Sequence, residues 1–258
     1  MLLTYNVAND EILFGFIDGG ALVATATLST DTRKTADEYA VLLRGILELR
    51  GFDTATFEGA ICSSVVPTLT EKMRNAVELI IGVRPHVLGA GTKTGLRILT
   101  DDPTQLGADL VASSVGALTK YDGPMILVSL GAATAFSVID GDGSFVGCAI
   151  APGISLSAEA LSRGASLLPE FAAAMPKRCI GTNTMESMQS GCIFGGAAMI
   201  SGMIDRIERE LGTNARVIVT GRDGERIASL CEREMVFDDT VLLVGLAKIY
   251  EKNQRKQK

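Results

Sequence analysis

The chain has 258 residues, 47% of them hydrophobic, which suffices for a sizeable core in one large domain or two smaller ones. Its 30 acidic residues outnumber 24 basic ones for a net charge of −6, which disfavours phosphate polymers, so no nucleic-acid partner is expected. No apolar run reaches the ~18 residues of a membrane span, and the opening MLLTYNVANDE has neither the basic region nor the cleavage site of a signal peptide, so no membrane partner and a cytoplasmic location are expected.

The first predicted element is the strand LLTYNV, which runs into a turn at Ala8 to Asp10. EILFGFID, a Gly19-Gly20 turn and ALVATATL follow, and the three strands read as an antiparallel meander. Thr35 to Arg50 carries apolar residues at helical spacing, FEGAICSSVV reads as a strand, and TEKMRNAVELIIG reads as a second helix. The single histidine, His86, sits in a short apolar strand and reads as a packing residue, because a general base or metal site built on it needs partners. DDPTQLGADLVASSVGAL opens an apolar helical run just past Gly107, and YDGP at Tyr121 to Pro124 then breaks the helical pattern.

A second meander follows: MILVSL, a turn at Gly131 to Ala133, TAFSVID, a Gly141 to Gly143 turn and SFVGCAIA. After it come a helical stretch from Thr184 to Leu211, the strand ARVIVTG and a helix through ERIASLCERE. The basic end EKNQRKQK reads as a solvated helix end with a frayed tail and is given no function. Cys62, Cys148, Cys179, Cys192 and Cys231 lie far apart without a CxxC pair, which argues for reduced thiols and against zinc or a disulfide framework.

A meander followed by α/β units, twice over, is the layout of two RNase H-like domains packed around a central cleft, as in the sugar kinase, actin and Hsp70 group. The expected fold is therefore α/β, with domains at 1–120 and 121–258. In that layout the first hairpin turn of each domain faces the cleft, where its backbone N–H groups cradle phosphates. The strand ends at these turns carry Asn6 and Ser129, both neutral, where a carboxylate would hold a metal. The absence of GxxxxGK[ST] and GxGxxG removes the P-loop and dinucleotide-binding readings. Asp109, at the start of its helical run, has two readings: a first-turn or N-cap carboxylate, or a general base.

Six segments then carry a resemblance: TDTRKTADEYAVLL, SSVVPTLT, GTKTGL, DDPTQLGAD, IAPGISLSAEAL and NTMESMQSG, in order along nearly the whole chain. Together they closely resemble type III pantothenate kinases. The resemblance implies phosphorylation of the pantothenate hydroxyl by ATP with Mg²⁺ and a monovalent cation such as K⁺, the first committed step towards coenzyme A, in a dimer with shared active sites. It also implies that Asp109 is the proton acceptor, that Gly107, Ala108, Asp109 and Leu110 form the pantothenate loop, and that Thr184 reaches pantothenate across the dimer.

The departures fall at functional positions. The family's D-x-G-N-T reads here as Asn6-Val7-Ala8-Asn9-Asp10, losing a carboxylate, a glycine and a hydroxyl and adding a negative charge. Its D-F-G-T-A-T-T reads as Ser129-Leu130-Gly131-Ala132-Ala133-Thr134-Ala135, which lacks the cation-binding aspartate at Ser129 and two hydroxyls, at Ala132 and Ala135, and its T-G-G reads as Thr220-Gly221-Arg222. On the pantothenate side Thr100 stands for a tyrosine and Leu110 for an arginine, which removes a planar cation suited to a carboxylate. The expectation is a subunit that is inactive alone and supports an intact paralogue in a heteromeric kinase. The alternative is a non-catalytic regulator or metabolite sensor on the same fold.

Overall fold

The computed structural model describes residues 1–254; the basic residues 255–258 of the predicted tail lie outside the described residues. The chain forms two compact units, one of residues 1–96, 101–120 and the C-terminal helix, the other of residues 97–100 and 121–239.

The first unit begins with the predicted meander, β1 (Leu2–Val7), β2 (Glu11–Asp18) and β3 (Ala21–Ser29). Helix α1 (Ala36–Arg50) starts at a capping box, in which Thr35 Oγ1 accepts from Glu38 N–H and the Glu38 carboxylate accepts from Thr35 N–H. β4 (Gly59–Ser64) lies parallel to β1, and α2 (Pro67–Ile81) starts three residues before the predicted TEKM because Pro67 fits the first helical position, where no N–H is needed. β5 (His86–Val87) completes a five-stranded sheet in the order β3-β2-β1-β4-β5. His86 is exposed there, and its Nε2 lies 3.1 Å from Thr92 Oγ1.

One sheet face buries Leu3, Tyr5 and Val7 against Tyr39, Leu43 and Leu47 of α1 and Leu69, Met73 and Val77 of α2. The other face, through Ile61, packs on Ala112 of α3 (Ala108–Leu118) and on Leu246 and Ile249 of the C-terminal helix (Val241–Gln254). Those two helices meet backbone to backbone at Gly116 and Gly245, where an added Cβ would overlap the Val241 and Ala112 carbonyl oxygens.

The second unit repeats the plan with β6 (Arg97–Ile98), β7 (Met125–Leu130), β8 (Ala133–Ile139), β9 (Ser144–Pro152), α4 (Ile154–Gly164), α5 (Thr184–Leu211), β10 (Arg216–Gly221), α6 (Gly224–Ala228) and β11 (Val236–Phe237). Its sheet order is β11-β10-β7-β8-β9-β6. As β4 lies parallel to β1, so β10 lies parallel to β7. Both meanders also carry a register irregularity between their second and third strands, at Phe16/Ile17 and at Val138/Ile139. Ile126, Val128 and Leu130 pack on Ile193, Ile200 and Ile204 of α5.

The units differ from a cut at 120/121 in two places. Arg97 and Ile98 pair with Ser144 and Phe145 of β9, and the C-terminal helix joins the first unit through Leu246 and Ile249. The predicted helix ERIASLCERE is shorter than its pattern and ends at Ala228, and beyond it Arg233 ion-pairs with Asp205 and Glu208 of α5 at 3.1 and 2.8 Å. All five cysteines are free, and among the described residues no three His, Cys, Asp or Glu side chains group as a metal site and no helix is long and apolar enough to cross a membrane.

Candidate active site

In the first unit, Asn6 is buried near the end of the central strand, and the parallel register sets it beside Ser63 of β4. Ser63 Oγ donates to Asn6 Oδ1 at 2.7 Å. Strand alternation puts Asn6 on the same sheet face as Leu2, the face covered by α3 and the C-terminal helix. Val7 is buried in the opposite face, and its carbonyl accepts from Val65 N–H.

The turn that follows is held by Thr30, the residue after β3. Thr30 Oγ1 donates to the Ala8 carbonyl at 2.7 Å, and Thr30 N–H donates to the Asp10 carbonyl at 3.1 Å. Ala8 N–H is used within the turn, on the Glu11 carbonyl. Asn9 and Asp10 are exposed, and their N–H groups form no hydrogen bond among the described residues. Two such amides are what an incoming phosphate oxygen needs, but the exposed Asp10 carboxylate stands beside them and opposes it.

Asp109 lies in the first turn of α3 and is half-buried. Gly107 is the N-cap residue, so of the two local places open in the sequence Asp109 takes the first turn and not the N-cap. Its carboxylate folds back over Gly107, where a Cβ would lie 2.6 Å from Oδ1. Burial raises its pKa, an effect opposed by the amides of Leu110 and of Asp109 itself. A desolvated carboxylate without an ion-pair partner is a suitable proton acceptor. Ala108 is half-buried and packs on the Ile61 cluster, and Leu110 is buried and apolar.

In the second unit, Ser129 pairs with Ala135 and Thr220 on its neighbouring strands, and its buried hydroxyl has no hydrogen-bond partner among the described residues. The turn beyond it closes through Gly131 N–H to the Ala133 carbonyl, and Gly153 N–H donates to the Ala132 carbonyl at 2.9 Å. Gly153 caps α4 and lies flat on this turn, since a Cβ there would overlap the Gly131 carbonyl and stand 2.7 Å from that of Ala132.

Thr100 follows β6, and its buried hydroxyl has no hydrogen-bond partner among the described residues. Thr184 opens α5 but does not cap it: Asn183 Oδ1 accepts from Glu186 N–H, while Glu186 accepts from Thr182. Thr184 is exposed, and its hydroxyl forms no hydrogen bond among the described residues. Asn6, the Ala8 to Asp10 turn, Gly107 and Asp109 thus belong to the first unit, and Thr100, Ser129, Ala132 and Thr184 to the second.

A family model for type III pantothenate kinase matches residues 2–206. The type III pantothenate kinase of Roseiflexus sp. (strain RS-1) is 41% identical over 254 residues, covering 98% of this chain and 100% of that protein. The chain belongs to the type III pantothenate kinase family.

Two solved structures share the fold of this family member at low identity. The activator of the 2-hydroxyisocaproyl-CoA dehydratase from Clostridium difficile superposes with a TM-score of 0.59 at 10% identity, covering 100% of this chain and 97% of that one. An inorganic polyphosphate/ATP-glucomannokinase from Arthrobacter sp. strain KM gives 0.51 at 13% identity, covering 97% and 98%. The fold is the duplicated RNase H-like fold of the sugar kinase, actin and Hsp70 group.

Within that family, the two strand-end positions do not fit a cation. Asn6 offers a neutral carboxamide whose oxygen already accepts one hydrogen bond from Ser63, and Ser129 offers only a hydroxyl, so neither brings the negative charge of a metal-binding carboxylate. The residue patterns overlooked Ser63, Thr30 and Gly153, which hold the site residues in place. Ser63 and Thr30 lie within SSVVPTLT and TDTRKT and Gly153 within IAPGIS, but only strand register and turn packing reveal what they hold.

Proposed function

We propose that this chain is the impaired subunit of a heteromeric type III pantothenate kinase, assembled with an intact paralogue. In the reaction the γ-phosphoryl group of ATP passes to the pantothenate hydroxyl oxygen, the hydroxyl proton goes to a carboxylate, and ADP leaves. The paralogue supplies the nucleotide and cation ligands, and this chain lends Thr184 to the paralogue's pantothenate site.

The observation that carries this reading is Asn6. Its neutral carboxamide takes the place of a metal-binding carboxylate and accepts one hydrogen bond from Ser63, so the first turn has no charge with which to organise a magnesium–triphosphate complex. The uncapped, exposed hydroxyl of Thr184 supports the donated role, because the helix start is stabilised by Asn183 and leaves Thr184 available. A regulator or metabolite sensor on the same fold is equally served by the neutral turns but gives Thr184 no work.

The test is co-expression with an intact paralogue from the same genome, followed by pantothenate phosphorylation assays on each chain and on the pair. The reading expects turnover from the pair, dependent on Thr184, and none from this chain alone. Turnover by the isolated chain would overturn it, and a paralogue equally active with or without this chain would favour the regulator.

A further inference from the structure

We propose that the second unit carries a binding site for a small aliphatic carboxylate, at the end of its sheet opposite to Ser129 and Gly221. A cavity of about 390 Å³ opens there between the end of α5, the start of β10 and the segment that leads into β11. β7 and β10 run parallel, and Arg216 at the start of β10 stands roughly 16 Å from Gly221 at its end, at about 3.3 Å per residue. The cavity is therefore apart from the turn that follows Ser129, and ligands of open α/β sheets otherwise gather at the far, carboxyl ends of the strands.

Strand parity decides which backbone group faces the cavity. Arg216 N–H donates to the Pro124 carbonyl on the β7 side, and the Val219 carbonyl accepts from Asp238 N–H on the β11 side. In a parallel strand both backbone groups of a residue point to one side and the sides alternate, so Val217 N–H also points towards β11. Pairing with β11 begins only at Ile218 with Val236, and the Glu234 carbonyl, which would have to meet Val217 N–H, does not. Val217 is buried, and its N–H forms no hydrogen bond among the described residues. Buried backbone donors are nearly always paired, so this is a place for an acceptor atom.

The side chains that line the cavity set the class of that acceptor. Arg216 is exposed, lies 5.8 Å from the Tyr121 ring centroid and forms no ion pair among the described residues. Arg233 spends its two terminal nitrogens on Asp205 and Glu208, and its buried Nε–H has no partner among the described residues. Glu208 also accepts from Ala215 N–H at 3.0 Å, so its carboxylate is already engaged. What is left over is a set of donors, which calls for an anion. The two arginines are balanced by Glu208 and Glu234, so a single negative charge is accepted where the second charge of a phosphate is repelled. Val217 and Val236 add apolar wall for a short hydrocarbon body. This site uses the second unit alone and is independent of the heteromeric reading above.

The test follows the full-length chain by NMR, with sodium butyrate as the probe. Butyrate should move the Val217 amide resonance saturably, and Arg216→Gln should weaken that binding roughly 10-fold or more, as the loss of a charge-assisted hydrogen bond does. n-Butylammonium, equal in length and opposite in charge, should leave the resonance in place. Inorganic phosphate above its second pKa, a dianion, should bind more weakly than butyrate, and Glu234→Gln, a change at an exposed residue, should narrow that difference. A Val217 resonance indifferent to butyrate, butyrate binding unchanged by Arg216→Gln, or phosphate binding tighter than butyrate overturns the proposal. Should Arg216→Gln fail to fold, the comparison of the three probes on the parent chain and on Glu234→Gln decides alone.

Discussion

Replacing Gly116 by Ala tests how the first unit is built and how Asp109 is positioned. Gly116 sits two turns along the helix whose first turn carries Asp109, and its backbone abuts Val241 and Gly245 of the C-terminal helix. A Cβ would overlap the Val241 carbonyl, so the helices must part by on the order of 1–2 Å to restore a ~3.5 Å contact. That movement loosens Ala112, Leu246 and Ile249, which are fully buried against Ile61. Overpacking of this kind costs about 3 kcal/mol at the upper end, and the better helix propensity of alanine returns about 1. The net loss of ~2 kcal/mol corresponds to a fall in Tm of roughly 4–8 °C. Gly245→Ala should behave alike, and the double variant should lose less than the sum, because the helices separate only once. Differential scanning calorimetry measures all three. Melting at or above the parent temperature would mean that the helices do not meet backbone to backbone and that propensity alone governs the site.

Asp109→Asn should stabilise the protein at neutral pH. The folded pKa is raised above the ordinary 3.8, so the charged carboxyl opposes folding above the folded pKa, and this penalty vanishes below the unfolded one. The melting advantage of the variant over the parent should therefore shrink as pH falls towards about 4; a variant less stable at pH 7 would restore the capping role. In the co-purified complex, Thr184→Val should raise the KM for pantothenate or lower kcat without lowering Tm, whereas Asn183→Ala should cost about 1 kcal/mol of stability as a lost cap. If Thr184→Val lowers Tm instead, the hydroxyl is structural. Calorimetric titration of the isolated chain with Mg-ATP should show no micromolar binding, and Asn6→Asp alone should not restore turnover, since Ser129, Ala132, Leu110 and Thr100 still differ from the family pattern. A tight, magnesium-dependent complex of the unaltered chain contradicts the reading of Asn6.

The sequence by itself determined the elements whose signals are local. Period-two patterns and glycine turns placed both meanders, β1 to β3 and β7 to β9, and uninterrupted helical spacing placed α5 from Thr184 to Leu211. Motif order was enough to suggest the family, and the neutral Asn6 and Ser129 were legible because charge is a property of the residue itself. What depends on partners distant in the chain was not legible. The Ser63 bond to Asn6 arises from the parallel register of β1 and β4, 57 residues apart, and the Arg233 ion pair to α5 lies beyond the early end of α6. The C-terminal helix returned to the first unit because Gly116 and Gly245 let two backbones meet, and neither glycine shows in its own segment what will lie against it. Only tertiary structure decided that Asp109 is half-buried in the first turn with Gly107 at the N-cap, and that Asn183 caps α5 in place of Thr184, since capping and desolvation depend on the atoms that surround a residue.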